Sequence, residues 1–566
     1  MGRTHRVDRA TRVAAAGHVI SLAAGLVVLL VVNRHQWFAG DDWNFLARRG
    51  LRNAEAGLLA PHNEHWSTGP ILIFRALYSL VGLRSYLPYV AVLIVIHLAL
   101  AHLLWRIMRR VGVDPVVATA LAAVFAVLGA GTENLVWAFQ IGFVGSVLLG
   151  MTAILLVDHD GPFGRRDRLA WLVSVLSLTF SGISVTMVAV AGLTVLLRRG
   201  MRQAALTIVV PAAVYLLWLV IAGGDALGTG NTDLTSLLRF SDYVWTGLST
   251  AFERSVGLAG GGPVMVLALA VWLLRRSGLA STRAAPAFAG ALGAVALFGL
   301  IALGRSALGV AQAGNPRYVY ICVALALPSV GLALTDLASG VAGRTIAVLA
   351  LVGLALVNNL ALLRHDAGND AERERILERR VLAAAELVDP GPASDEGLLE
   401  LTSLPDLDVR SLRRMVDDGK LPRPADLTAE DRLTAATYVQ VATGPGTLGP
   451  SVPAGARIGS VGQAAVERGT GSCVRVTPEA GGGPEVVLTP VGDGTGGPVS
   501  VSLSTPAGGV LELFLRTTTP EALTGPPRKV DLEPGQVVRF DDGAPDTVLI
   551  LHPPAGSTTD LCGVAI

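Results

Sequence analysis

Charged side chains make up 16% of this 566-residue chain, so the places where they gather stand out. Between an apolar run that ends near Val32 and one that begins near Leu87, three carboxylates, two imidazoles and two indoles fall close together. They are Asp41, Asp42 and Trp43, then His62, Glu64, His65 and Trp66. A carboxylate placed like Asp41 or Asp42 can take the proton of a hydroxyl as that hydroxyl attacks an electrophilic carbon. Neighbouring loop residues point in different directions, so the pair divides its tasks. Asp41 is expected to be the general base, and Asp42 to orient it or to hold a metal. The competing reading is an Asp pair that caps a helix starting near Trp43.

The segment His62-Asn63-Glu64-His65-Trp66 offers a carboxylate between two imidazoles. Its three-residue His spacing is not the four-residue helical spacing of two-His zinc proteases. A divalent metal ion is the only cofactor considered, with Asp42, Glu64 and His65 as candidate ligands. His62, Glu64, His65 and Trp66 are otherwise expected to contact substrate. Trp66 and Trp43 suit stacking on a sugar face, or anchoring at a membrane interface. Further along, Arg305, Arg317 and Tyr318 are candidates for a phosphate. A guanidinium fork binds phosphate oxygens bidentately and stabilises charge growing on a leaving group; the alternative is interfacial snorkelling. Glu133 is a candidate second acid, or an ordinary loop carboxylate.

The elements that must position these groups are membrane helices. Mean hydropathy is +0.54, and the long apolar runs are confined to roughly the first 365 residues, which reads as a polytopic membrane protein with a sizeable polar remainder. The first run, Val13 to Val32, is long enough to span and reads as a retained anchor. Others follow at Leu87–Leu104, Pro115–Ala130, Ile141–Val157, Ala204–Ile221, Pro263–Leu274, Ala284–Leu303, Val319–Leu334 and Ile346–Leu363. Leu169–Leu197 has arginines at both flanks and is expected to go out and return, turning near Ser181-Gly182. About 11 spans result, with the N-terminus cytoplasmic and the C-terminal part extracytoplasmic. Arg48, Arg49 and Arg52 run against that rule and could serve an anionic ligand. Gly131–Gln140, Ala222–Val256 and Gly304–Tyr320 are expected as further outer segments.

Beyond the last span, 369–387 is expected to be a separate amphipathic helix and Ser411–Val416 a short one. Short β-type runs then alternate with Gly/Pro turns, among them Thr437–Val441, Glu485–Leu488, Val499–Leu503, Val510–Leu515, Val537–Phe540 and Thr547–Leu551. They predict a small antiparallel β-sandwich. The expected division is 1–365 as the transmembrane domain, with 35–86 its outer catalytic loop, 366–430 as a helical connector, and 431–566 as the extracytoplasmic β-sandwich. Cys473 and Cys562 could pair in an oxidising compartment, and Cys322 reads as a buried small hydrophobe. A net charge of +1 gives no nucleic-acid signature.

This layout, together with the Asp-Asp-Trp, His-Asn-Glu-His-Trp and Arg-Tyr-Val-Tyr segments, resembles the C-type (GT-C fold) membrane glycosyltransferases, in particular the protein O-mannosyltransferase and aminoarabinose transferase group. The three segments are similar to those of GT-C-like proteins of high-GC actinobacteria. The resemblance covers roughly residues 13–365. It implies a polyprenyl-phosphate sugar donor, an envelope glycan, lipid or protein as acceptor, and a lipid bilayer around the helices. It maps the first-loop acid to Asp41 or Asp42, and a second acid to Glu133. An inverting glycosyltransferase of the plasma membrane is the expected function. The rival is a transporter, flippase or assembly protein, but charges that gather in loops and the absence of a visible repeat favour the enzyme.

Overall fold

The computed structural model describes residues 2–49, 57–223, 239–339, 342–388, 407–422, 426–439, 441–445, 456–469, 471–479, 484–490, 499–517, 528–534, 536–542, 547–554 and 557–565. Arg52 and the stretch 224–238 lie outside them. Two compact units are formed. The first comprises Met1–Trp37, Arg49–Leu80 and Tyr86–Arg373; the second comprises Phe38–Arg48, Val81–Ser85 and Glu374–Ile566.

Helices of the first unit follow in order: α1 (Gly2–Val32), α2 (Thr68–Val81), α3 (Leu87–Val111), α4 (Pro115–Ala126), α5 (Glu133–Val136), α6 (Ile141–Val157), α7 (Arg165–Leu178), α8 (Ile183–Arg199) and α9 (Met201–Ile221). Then come α10 (Phe240–Val256), α11 (Gly262–Arg275), α12 (Ala285–Arg305), α13 (Pro316–Ala338) and α14 (Ala342–Val388), whose residues from Glu374 onward belong to the second unit. Among the described residues seven helices are long and apolar enough to cross a membrane, and Thr68–Val81, Pro115–Ala126 and Gly262–Arg275 are shorter apolar helices. The expected count of about 11 also includes the shorter helices α4, α7, α8 and α11.

The segment from Arg165 to Arg199 folds as two short helices, α7 and α8, that turn at Thr179–Gly182 as expected. Phe180 in that turn fills the space left by two glycines: a Cβ at Gly69 would lie 2.6 Å from its ring, and one at Gly145 2.5 Å. The turn can therefore dock against α2 and α6 only because both positions lack a side chain. The arginines flanking α7 and α8 are not bare. Buried Asp158 is gripped by Arg110 and Arg198, and Arg199 donates to buried Asp167 at 2.6 Å. Ion pairs thus tie the end of α3 to the α6–α7 loop and to the end of α8.

Three expectations in the helical part are corrected. The final span and the amphipathic helix expected over 369–387 are one continuous helix, α14, which runs unbroken through Gly368-Asn369-Asp370 at their junction. The segment Ala222–Val256 is not all loop: Phe240–Val256 forms α10, closed by Gly257 in the left-handed region at φ 79°. Arg49, expected for an anionic ligand, instead donates to the carbonyls of Gly57 and Ala60, at 3.2 and 2.8 Å, and to that of Pro61.

Among the described residues the second unit holds α15 (Val409–Asp417), α16 (Ala429–Val439) and twelve strands: β1 (Val441–Pro445), β2 (Ala456–Gly462), β3 (Ala464–Arg468), β4 (Cys473–Pro478), β5 (Glu485–Pro490) and β6 (Val499–Ser504), followed by β7 (Gly509–Thr517), β8 (Arg528–Leu532), β9 (Gln536–Asp542), β10 (Thr547–His552), β11 (Thr559–Cys562) and β12 (Val564–Ala565). They make two sheets, ordered β1-β9-β6-β11-β4-β3 and β12-β2-β5-β10-β7-β8. All pairings are antiparallel except β12 with β2. One apolar core joins both sheets, with Val476, Leu503 and Leu561 from the first and Leu488, Leu513 and Leu551 from the second. The run Thr437–Val441 was expected to be a strand, but α16 occupies it up to Val439. A capping box explains this: the Thr428 N–H donates to Asp431 Oδ2 at 2.8 Å, and the Asp431 N–H to Thr428 Oγ1 at 3.2 Å. Cys473 and Cys562 are opposite each other on β4 and β11 and form a disulfide. Cys322 is free and buried.

Candidate functional site

The charged cluster of the first unit is built on a four-residue turn. His62 and His65 exchange both backbone hydrogen bonds at 2.9 Å, and Asn63 enters the left-handed region at φ 49°, a conformation that asparagine tolerates better than most residues. Residues directly opposite on such a bridge point to the same face. The two imidazoles accordingly pack edge-on against two phenylalanines four residues apart. His62 lies 5.3 Å from Phe139, and His65 lies 5.4 Å from Phe143. That packing leaves Glu64 at the tip of the turn.

Glu64 meets α12. The Nε of Arg305, the last residue of that helix, donates to Glu64 Oε1 at 3.0 Å, and its second nitrogen binds the same oxygen. A second pair stands beside it on α13. Asn315 caps this helix by accepting from the Arg317 N–H at 3.3 Å, with Pro316 at the first helical position, the combination that pre-sets a helix start. Arg317 and Tyr318 are thereby fixed in the first turn. Arg317 pairs with Glu133 at 3.3 Å, and Asn134, next to Glu133, donates to the Arg317 carbonyl at 3.2 Å. The Arg317 guanidinium lies 5.9 Å over the Tyr318 ring, and Tyr318 sits in the combined field of Arg305, Arg317, Glu64 and Glu133.

Charge states follow from these contacts. Burial works against the Glu64 carboxylate, but His65 and Arg305 beside it outweigh burial and hold its carboxyl below the usual range. Burial pushes the His65 imidazole down to about 4; Glu64, 3.8 Å away, opposes that shift, while Arg305, His62 and Arg317 add to it. At neutral pH Glu64 is therefore a carboxylate and His65 is neutral.

The structure brings Glu64, His65, Glu133, Arg305, Arg317 and Tyr318 into one neighbourhood, with His62 on the same turn. It gives Trp66 a packing role on one face, stacked at 5.3 Å on Trp218, with its Nε1–H donating to Thr68 at 2.8 Å. Tyr320, grouped in sequence with Arg317 and Tyr318, points elsewhere and lies 2.8 Å from His97. Tyr243 on α10 was missed. It is fully buried, its hydroxyl has no hydrogen-bond partner among the described residues, and it lies in the field of Arg305 and Arg317, with Tyr318 nearby. A tyrosine in a polar segment is its only signal in the sequence, and the long chain separation hides its neighbours.

Asp41 and Asp42 belong to the second unit. Asp42 is fully buried and its Oδ2 accepts from the Ala39 N–H at 3.2 Å, a bond back to the preceding turn rather than to the N–H groups of a helix that follows. The chain then runs into a π-helical turn, Asn44–Arg48. Asp41 is half-buried. Trp43 is fully buried, 6.0 Å from Phe38; that packing removes it from both roles, sugar stacking and membrane anchoring.

Among the described residues no three His, Cys, Asp or Glu side chains converge as a metal-binding group. Of the metal candidates, Glu64 and His65 do lie together, but the Glu64 oxygen nearest His65 is the one bound by Arg305. A carboxylate already neutralised by a guanidinium is a poor ligand for a hard cation.

A cavity of about 370 Å³ runs along α13, lined by Cys322, Ala326 and Leu334 of that helix, Leu121 of α4, Phe252 of α10 and Trp272 of α11. Its lining carries no charged side chain. The first α13 residue on its wall, Cys322, is four positions past Tyr318, about one helical turn.

No protein-family model matches the sequence, and no curated protein matches it. Solved structures do. ArnT from Cupriavidus metallidurans, solved bound to undecaprenyl phosphate, is 14% identical with a TM-score of 0.44, over 75% of this chain and 92% of that one. The Archaeoglobus fulgidus oligosaccharyltransferase, solved with zinc and sulfate, is 13% identical with a TM-score of 0.38, over 66% of this chain and 55% of that one. The arabinosyltransferase EmbB from Mycobacterium smegmatis is 11% identical with a TM-score of 0.31, over 96% of this chain and 64% of that one. The similarity is one of fold. At these identities it assigns no residue of this chain a role.

Proposed function

We propose that this chain is a membrane glycosyltransferase that moves a sugar, with inversion, from a polyprenyl-phosphate carrier to a cell-envelope acceptor on the outer face of the plasma membrane. The observation that carries this reading is the convergence of Arg305, Arg317 and Tyr318 about one helical turn above an apolar cavity on the same helix. A phosphate held by two guanidinium forks would have its isoprenoid chain lead directly into that cavity. The cavity-lining stretch of α13, Cys322 to Leu337, is about 22 Å long at 1.5 Å per residue, enough for several isoprene units.

In the reaction the acceptor hydroxyl forms a bond to the anomeric carbon while the bond from that carbon to the phosphate oxygen breaks. The electron pair leaves with the phosphate, where Arg305 and Arg317 meet the growing charge. The buried Tyr243 hydroxyl is a further group able to donate to the phosphate or to the sugar. The hydroxyl proton goes to a carboxylate, for which Asp41 is proposed, with Asp42 fixing the turn around it and Glu133 orienting Arg317. His62, Glu64, His65 and Trp66 are proposed as the wall of the substrate site. The about 11-span layout, a cytoplasmic N-terminus and an extracytoplasmic C-terminal region belong to the same proposal; the Cys473–Cys562 disulfide supports an oxidising compartment for that region.

The deciding experiment is transfer from a radiolabelled polyprenyl-phosphate sugar in membranes carrying the intact chain. Sugar incorporated into envelope material, and lost in Arg305→Ala, is the expected result. No transfer from hexosyl or pentosyl donors, with transport of a labelled lipid instead, would replace the enzyme by a transporter.

A further inference from the structure

Each arginine of the candidate phosphate site is already occupied by a carboxylate. Arg305 is held by Glu64 and Arg317 by Glu133. Two adjacent half-buried guanidiniums would repel each other and lose hydration, so they need anions beside them. The two pairs are not equivalent. Glu133 starts a short helix whose next residue, Asn134, also holds the Arg317 carbonyl, so that arginine is clamped through side chain and backbone together. Glu64 sits at the tip of a four-residue turn, its side chain 34% exposed, and offers a single oxygen to both Arg305 nitrogens. A phosphate presents more oxygens in the geometry of the guanidinium fork than that one carboxylate oxygen does. Glu64 can also turn into water with little loss of hydration.

We infer that Glu64 is an exchangeable stand-in for the phosphate of the lipid carrier: it holds Arg305 as the structure shows, and an arriving phosphate displaces it, while Arg317 stays fixed on Glu133. The inference rests on the proposed function and adds a sequence of events to it. Glu64 is then a positioning residue that competes with the ligand. It keeps Arg305 extended and neutralised between turnovers, and it helps expel the product by taking Arg305 back.

A competitor and a simple scaffold predict opposite signs. If Glu64 only holds Arg305 in place, removing its charge weakens phosphate binding. If it competes, removing its charge tightens binding. The test is titration of the full chain in lipid nanodiscs with undecaprenyl phosphate. Glu64→Gln is expected to bind about 3- to 10-fold more tightly than the unaltered chain, the range of one partly exposed ion pair. Arg305→Ala should bind more weakly, and adding Glu64→Gln to it should give no gain, because no arginine is left to unmask. Glu64→Asp, which keeps the charge with a shorter reach, should tighten binding by a smaller factor and covers the case in which the glutamine variant misfolds. In transfer assays KM and kcat should fall together in Glu64→Gln, since substrate enters more readily and product leaves more slowly. Equal or weaker binding in both Glu64 variants, with Arg305→Ala still impaired, overturns the exchange and leaves the proposed function standing. Absence of undecaprenyl phosphate binding in the unaltered chain overturns both.

Discussion

Arg305 reaches back across 241 residues of chain to Glu64, its Nε donating to Oε1 at 3.0 Å. Within the first unit this contact joins the loop before α2 to the end of α12, and it creates the charged neighbourhood from which the function is read.

Arg305→Ala and Arg317→Ala should each weaken polyprenyl-phosphate binding by about 10- to 100-fold, the usual value of hydrogen bonds to a charged group. Lysine should rescue Arg305 only in part, because an ammonium lacks the planar fork. Tyr243→Phe removes one hydroxyl and leaves the ring in place; a smaller loss, about 3- to 10-fold in binding or transfer, is expected. Unchanged affinity in both arginine variants, measured in nanodiscs, would return them to interfacial snorkelling.

Asp41 and Asp42 separate by the kind of defect each substitution causes. Asp41→Asn should lower transfer by about 10²- to 10⁴-fold, the contribution of a general base, with the carrier still bound. Asp42→Asn should chiefly lower thermal stability, by about 1 kcal/mol, because its Oδ2 accepts the Ala39 N–H and holds the turn before Asn44–Arg48. Full turnover in Asp41→Asn would exclude it as the base.

Acid should destabilise the first unit. In the folded chain His65 is held down to about 4, while an unfolded histidine protonates near 6.5. Between those values the unfolded state binds more protons, so His65 contributes stability that is full above about pH 6.5 and is lost as pH falls towards 4. The depressed carboxyl of Glu64 adds a loss of the same sign at lower pH. For His65 the loss is on the order of 2–3 kcal/mol. Thermal unfolding between pH 7 and 4.5 measures it, and His65→Gln should flatten the slope. A slope unaffected by that substitution would remove His65 from the account.

Breaking the Cys473–Cys562 disulfide should loosen the β-sandwich selectively. The bridge closes a loop of 89 residues, worth about 4–5 kcal/mol in the chain-entropy model and less where reduced chains keep structure. Cys473→Ser should therefore lower the unfolding midpoint of the C-terminal region and expose it to protease. Free thiols in both cysteines of the oxidised, isolated protein would contradict the bridge.

The sequence by itself determined what depends on local pattern. Continuous apolar runs made membrane-length helices, the reversal near Ser181-Gly182 was legible from arginines on both flanks, and alternating short runs after Glu485 gave strands β5, β6, β7, β9 and β10. The start of α13 was written in Asn315-Pro316, which placed Arg317 and Tyr318 at a helix end. Elements whose pattern was overruled by a cap or a missing break were misread. The helix that the Thr428–Asp431 capping box starts runs on to Val439, and α14 continues through Gly368-Asn369. Strands β4 and β8 also alternate, as Val474-Arg475-Val476 and Val530-Asp531-Leu532, but are short, and β2, β3, β11 and β12 take their place from partners in the sheet. The site residues were identifiable by type and by their scarcity in an apolar chain. Their pairing was not: which carboxylate holds which arginine, that Tyr243 stands beside them, that Trp66 stacks on Trp218 and that Asp42 rather than Asp41 is buried depend on contacts between residues far apart in the chain. Such contacts are set by how the helices pack, and one-dimensional spacing carries no information about that packing.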